Sequence, residues 1–246
     1  MKRKRLAVIP ARSGSKGLKD KNIKILQGIP LVGYTIKAAL DSDLFDIVMV
    51  STDSERYAEI AEGLGAEVPF LRSEITSGDS PTSWDVVKEV VEQYRERGHE
   101  FDSITLLQPT SPLRNADDII KAHKLFDDKD ANSIISVCEA EHSPLWSNVI
   151  ESDLSMEHFA QTDDIVSCRQ QLRAYYRLNG AIYIVNEKTL NNIKNLYKEK
   201  SYAYIMEQSH SIDIDTEFDF MIAEAIIKSK LFEDKKAADN KWSHSE

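Results

Sequence analysis

Only two cysteines, Cys138 and Cys168, occur in the 246 residues. Their separation matches no metal-ligand spacing and allows at most one disulfide, so a structural metal module is not expected and a reduced, cytoplasmic protein is the default. No apolar run approaches the length of a membrane span. The start Lys2-Arg3-Lys4-Arg5 resembles the basic end of a signal peptide, yet the apolar stretch Leu6 to Pro10 behind it is too short for one and is closed by Arg12. Internal repeats and low-complexity segments are absent as well.

Positive charge is also scarce over most of the chain. Nine of the 31 Lys and Arg residues fall within residues 1–24 beside a single acid, which leaves 22 bases against 40 acids in the remainder. So acidic a body argues against bulk binding of nucleic acid or of an anionic membrane. The basic end therefore needs its own explanation. Hydrophobic content of 41% with 29% charged residues is ordinary for a soluble globular protein, and the length suits one domain with a full core.

Apolar runs alternate with amphipathic stretches from the start. "RLAVIP" and "DIVMVST" read as buried strands and "SITLLQPT", "NSIISVCEA", "YRLNGAIYIV" and "YAYIM" as strands, with "AEVPFLR" as a further candidate. Between them, "PLVGYTIKAALDSDLF", "SERYAEIAEGLG", "PTSWDVVKEVVEQYRERG" and "NADDIIKAHKLFDD" carry helical spacing, the last capped by Asn115. A short helix is expected near 187–195 and a final one from Thr216 to about Leu231, followed by a frayed tail over 233–246. Residues 141–176 break the rhythm and are long for a connection, as a lid, binding loop or oligomerisation arm would be. The pattern predicts an α/β fold in three layers around a mostly parallel sheet.

Two stretches carry candidate chemistry. "IPARSGSKGLKDKN" directly follows the first strand, at the strand end where ligands gather in such sheets, and its glycines and cations suit a polyphosphate. It has neither the G-x-x-x-x-G-K nor the G-x-G-x-x-G spacing, and a solvated basic surface is its alternative. In "SIDIDTEFDF", Asp213 and Asp215 stand two apart at a strand end and project from one face, where two carboxylates suit Mg²⁺. The alternative is a helix start, with Asp215 or Thr216 as cap. Together the two stretches suit a nucleoside triphosphate with its metal, as nucleotidyl transfer requires.

"IPARSGSKGLKDKNIK", "STDSERYAEIAEGLGAEVPFLR", "LLQPTSPLR", "RLNGAIYI" and "SIDIDTEFDF" follow one another in this order. By these motifs the chain closely resembles the bacterial CMP-sialate synthetases, the acylneuraminate cytidylyltransferases, from about residue 5 to 230. The resemblance implies a single domain over 1–232 of the nucleotide-diphosphosugar transferase type, with a dimerisation arm at about 141–176. It also implies a reaction in which a nine-carbon 2-keto acid sugar attacks the α-phosphate of CTP through its anomeric hydroxyl and releases pyrophosphate, with Mg²⁺ as cofactor and a homodimer as the assembly.

Carried over by motif, Arg12, Ser15, Lys16, Lys21 and Asn22 match the triphosphate loop, with the Ala11 backbone, Arg72 and Ser83 near the nucleotide. Arg12 and Lys21 would stabilise charge on the α-phosphate and the leaving pyrophosphate. Asp213 and Asp215 match the metal carboxylates. Gln108, Arg169 and Tyr183 match positions facing the sugar, although strand packing would equally explain Gln108 and Tyr183, and an interface ion pair Arg169. Where sialate-specific members carry a Lys, this chain reads "HSPLW", which puts Trp146 in place of a cation near the acyl-sugar pocket. Rival acceptors are legionaminate, pseudaminate and, more remotely, 3-deoxy-manno-octulosonate. From another class, a non-catalytic nucleotide-binding module is the remaining alternative.

Overall fold

In the run RLAVIP, Leu6, Ala7, Val8 and Ile9 are all fully buried, because the strand they form has both faces covered. The computed structural model describes residues 3–14, 17–78, 80–157, 159 and 173–242, with side chains as far as Ser229. The strand is β1 (Arg5–Pro10), flanked in parallel by β4 (Ile47–Ser51) and β5 (Ser103–Leu107). Beyond β5 lie β7 (Tyr176–Asn186), β6 (Ser133–Glu139) and β8 (Ser201–Met206), giving the order β4-β1-β5-β7-β6-β8. Only β7 runs against its neighbours, so the six-stranded sheet is mostly parallel. A two-residue hairpin pairs β2 (Ile25–Leu26) with β3 (Ile29–Pro30).

Helices cover both faces. On one, α1 (Leu31–Asp41), α2 (Glu55–Gly63) and α5 (Ala116–Asp128) pack Ile36, Tyr57 and Ile119 over Ala7, Ile9 and Ile182. On the other, α4 (Ser83–Glu96) packs Val87, Val90 and Tyr94 over Leu6, Val8 and Leu106. Two short helices, α3 (Glu74–Ser77) and α6 (Glu187–Asn191), lie in the connections, and α7 (Glu217–Trp242) closes the chain. Asn115 does cap α5: its side chain accepts from the Asp118 N–H at 2.9 Å, and Asp118 accepts in return from the Asn115 N–H.

Three expectations change. "AEVPFLR" makes only one bridge, Glu67 to Met49, because Pro69 has no N–H with which to continue a ladder. Asp213 and Asp215 lie not on a strand but in an extended loop after a 3₁₀ turn, Gln208–His210. The last helix does not end near Leu231: it continues to Trp242 through EDKKAADNKW, which contains no proline or glycine to stop it. Of the 141–176 interruption, residue 158 and residues 160–172 lie outside the described residues; the rest is turns, a 3₁₀ turn at Pro144–Trp146 and the start of β7.

Candidate active site

At the carboxyl edge of the sheet, the loops after β1, β5 and β8 and the loop before α4 enclose a cleft of about 470 Å³. Arg12, Lys21, Asn22, Arg72, Ser83, Gln108 and Asp215 all line it, so two sequence stretches about 200 residues apart meet in one place. The contact between them is direct. Lys21 Nζ donates to Ile214 O at 2.7 Å and to Asp215 Oδ1 at 3.0 Å, and Lys24 Nζ bonds Glu217 at 2.6 and 2.7 Å.

The carboxylate loop is held from beneath. Ile214 is fully buried in a small cluster with Leu26, Leu31 and Phe220, and its N–H donates to Thr110 O at 2.8 Å. With Ile214 turned inward, an extended backbone sends Asp213 and Asp215 outward, so the alternation expected of a strand survives without one. Upstream, buried Asn179 accepts from Ser136 Oγ at 2.6 Å and donates to Ser211 Oγ at 2.9 Å, tying the loop to β6 and β7. The following Gly180 sits at φ +74°. Thr216, not Asp215, caps α7: Thr216 Oγ1 accepts from the Asp219 N–H at 3.2 Å, and Asp219 Oδ2 accepts from the Thr216 N–H at 2.8 Å. The Asp215 carboxylate is left to face the cleft.

Gly17 marks the closest approach of the two loops. A Cβ there would stand 2.8 Å from the Asp215 carbonyl oxygen, inside any real contact. Gly17→Ala should therefore push the basic loop off the carboxylate loop and lower kcat/KM in the reaction that the motif resemblance implies by roughly tenfold to a hundredfold. Gly63→Ala, whose added methyl meets nothing within 4 Å, is the comparison in the same kinetic assay.

Burial and charge act together on Asp213. Asp213 is exposed as a residue, but its carboxyl is crowded: Thr110 hydrogen-bonds it, and a Cβ on Gly180 would lie 3.9 Å from Oδ2. Desolvation raises its pKa, with the charges of Asp215 and Asp219 adding to the rise and Thr110 and Lys21 opposing it. The folded chain then binds this proton more tightly than the unfolded chain, so ionising Asp213 lowers stability at neutral pH, and the loss fades as pH falls through the raised value towards the ordinary one. Asp213→Asn is expected to raise the melting temperature at pH 7.5, with the gain shrinking as the pH approaches the usual Asp range. A gain that is absent at pH 7.5 or grows on acidification would contradict this.

The remaining expected residues divide into those that line the cleft and those that support it. Arg12 Nη1 donates to Gly78 O at 2.9 Å across the mouth. Arg72 is mostly buried, with Nε and Nη2 on Ser51, and burial lowers its pKa. Gln108 Nε2 donates to Ser83 Oγ at 3.1 Å, which places an expected sugar residue against an expected nucleotide residue. Asn22, 5% exposed, also works on its own loop by donating to Arg12 O at 3.0 Å.

Ala11 does not line the cleft, and its N–H is engaged by Ser51 O at 2.8 Å, leaving only its carbonyl for a ligand. Tyr183 sits between Leu106 and Ile135 in the sheet, edge-on to Trp84 at 5.9 Å, with desolvation and then the charges of Tyr197 and Asp213 raising its pKa. Ser15, Lys16 and Arg169 lie outside the described residues. Trp146 borders a separate pocket of about 140 Å³ with Glu139, Arg173 and Tyr175.

Sequence reasoning did not single out Asp53, Thr110 or Asn179. Each falls inside a quoted motif, but nothing in the spacing marks a polar residue whose partner is more than 30 positions away.

The profile of the cytidylyltransferase family matches residues 6–238. The chain is 38% identical over 232 residues to an N-acylneuraminate cytidylyltransferase of Escherichia coli O18:K1:H7, covering 94% of this chain and 54% of that protein. With a CMP-N,N'-diacetyllegionaminic acid synthase of Legionella pneumophila it shares 36% identity over 228 residues, 91% of this chain and 96% of the relative. It thus spans about half the length of the first and nearly all of the second. Among solved structures, a CMP:2-keto-3-deoxy-manno-octonic acid synthetase complexed with CTP superposes with a TM-score of 0.70 at 18% identity, over 92% of this chain and 99% of that one, a likeness of fold. The sheet, the cleft at its carboxyl edge and the family match over almost the whole chain agree: this chain belongs to the cytidylyltransferase family.

Proposed function

We propose that the chain transfers a cytidylyl group from CTP to the anomeric hydroxyl of a nonulosonic acid, N-acetylneuraminate foremost, giving a CMP-sugar and pyrophosphate. The observation that carries this reading is the 3.0 Å contact of Lys21 with Asp215, which brings a cationic loop and a carboxylate loop to one cleft. In the reaction, the sugar hydroxyl gives up its proton to solvent as its oxygen bonds to the α-phosphorus of CTP, the bond from that phosphorus to the bridging oxygen breaks, and pyrophosphate leaves. Arg12 and Lys21 line the cleft and in this reading would face the charge that gathers on the transferred and leaving groups, since fixed cations aimed at developing charge are the principal resource in such transfers. Ser83 and Gln108, joined by their hydrogen bond, also line the cleft.

Of the two expected metal carboxylates Asp215 lines the cleft and Asp213 does not, standing beside it on the same extended loop; a pair of that kind suits Mg²⁺. Among the described residues no group of three His, Cys, Asp or Glu side chains converges as a closed metal cage would need, whereas Mg²⁺ takes one or two carboxylates and completes its shell with waters and phosphate oxygens. When bound, it would neutralise phosphate charge. A cytoplasmic setting suits the reading, and among the described residues no helix is long and apolar enough to cross a membrane.

A homodimer is supported by apolar exposure around the interruption, with Val149 81%, Leu154 76% and Leu178 51% exposed. Val149→Asp with Leu154→Asp should shift the sedimentation coefficient from dimer to monomer; an unchanged coefficient would remove the arm from the interface. Legionaminate remains the second acceptor, favoured by the full-length match to the legionaminic acid synthase. The test is kcat/KM for N-acetylneuraminate, N,N'-diacetyllegionaminate and pseudaminate, read as pyrophosphate released from CTP. The highest value for N-acetylneuraminate supports the first reading, and the highest value for the legionaminate supports the second.

A further inference from the structure

Asp53 stands behind the cleft, not in its lining, at the bend that follows β4. Both of its carboxylate oxygens grip a single residue of the basic loop: the Ser13 N–H donates to Oδ1 at 2.8 Å and the Ser13 hydroxyl to Oδ2 at 2.9 Å. Two-point holding of that kind fixes the orientation of the backbone as well as its position. Ser13 directly follows Arg12, whose carbonyl is held in turn by Asn22.

The charge of Asp53 matters separately from its hydrogen bonds. Arg12 and Arg72 both line the cleft, close enough for the Arg12 charge to work against that of Arg72, while Asp53 and then Glu89 oppose it. Two guanidinium groups converging on one site repel each other unless a carboxylate stands near both. Arg72 is anchored independently, through Ser51. Arg12 is held at its head by Gly78 O and at its backbone by the clamp on the residue that follows it, so its aim depends on both.

We propose that Asp53 is a positioning residue, which aims Arg12 at the triphosphate by clamping Ser13 and by balancing the Arg12 and Arg72 charges. The inference rests on the reading of this loop as the triphosphate site. Asp53 touches neither substrate nor reacting atoms in this account; its effect passes through Arg12.

A double-mutant cycle separates this role from a merely structural one. Asp53→Asn keeps the shape of the side chain and one acceptor but removes the charge. In the wild-type background it should lower kcat roughly tenfold to a hundredfold, the range expected of a displaced catalytic group. The KM for CTP should stay the same or fall, since a negative charge beside the triphosphate has gone. Asp53→Glu should recover part of the loss. In the Arg12→Ala background, Asp53→Asn should change kcat little, because the group it aims is already absent.

Equal losses in both backgrounds, or a kcat that falls only in step with the melting temperature, would overturn the inference while leaving the proposed reaction intact. A wild-type chain that releases no pyrophosphate from CTP with any nonulosonate would remove the reaction and the inference together.

Discussion

Asp215→Ala should slow pyrophosphate release from CTP by roughly a thousandfold, the scale implied by several kcal/mol of lost charge stabilisation at the phosphates. The variant should nonetheless fold. The Asp215 side chain is 74% exposed, and its pair with Lys21 is worth at most about 1 kcal/mol at such a surface, or roughly 2–4 °C in a chain of this size. Nor does α7 need it, because Thr216 and Asp219 cap that helix between them. Chelating divalent cations from the wild type should bring its rate down to a similar level. An Asp215→Ala protein that keeps near-normal turnover in Mg²⁺ would show that the carboxylate has no part in the chemistry.

Arg12→Ala carries the other large effect: kcat lower by roughly 10²- to 10³-fold, with a much smaller change in the KM for CTP. The asymmetry follows from where its charge is needed. Before reaction a bound triphosphate would still have two other cations of the cleft lining near it, Lys21 and Arg72. During transfer, charge builds up on the α-phosphate and the departing pyrophosphate, and a fixed cation at that place has its greatest effect there. A variant in which KM rises and kcat holds would make Arg12 a binding residue and move the catalytic role to another cation.

The sequence alone carried most of the architecture because its strands are nearly continuous apolar runs. Leu6 to Ile9 is buried on both faces and cannot be mistaken for a solvated edge. Helix starts were legible where chemistry marks them, as at Asn115. What escaped was set by contacts distant in sequence. Pro69 left "AEVPFLR" with one bridge, and the loop carrying Asp213 and Asp215 owes its shape to Ile214 in the core and to Asn179 on another strand.

The site was legible as two charged stretches and a motif order. That Lys21 is paired with Asp215, that Gly17 is the point where the stretches touch and that Asp53 clamps Ser13 all depend on tertiary placement. Tyr183 shows the limit from the other side: its packing against Trp84 is what a strand position already requires, so its type and place in a motif say little about a ligand.

The most direct test of the central claim is the product made from CTP and N-acetylneuraminate by the purified chain with Mg²⁺, followed by phosphorus NMR and mass spectrometry. The account predicts one pyrophosphate for each CTP consumed and a single new phosphodiester resonance, from a species with the mass of CMP joined to the sugar. Appearance of CDP with inorganic phosphate, or of free CMP with unmodified sugar as the first products, would mean that the cleft cleaves the nucleotide without cytidylyl transfer to the sugar, and would contradict it.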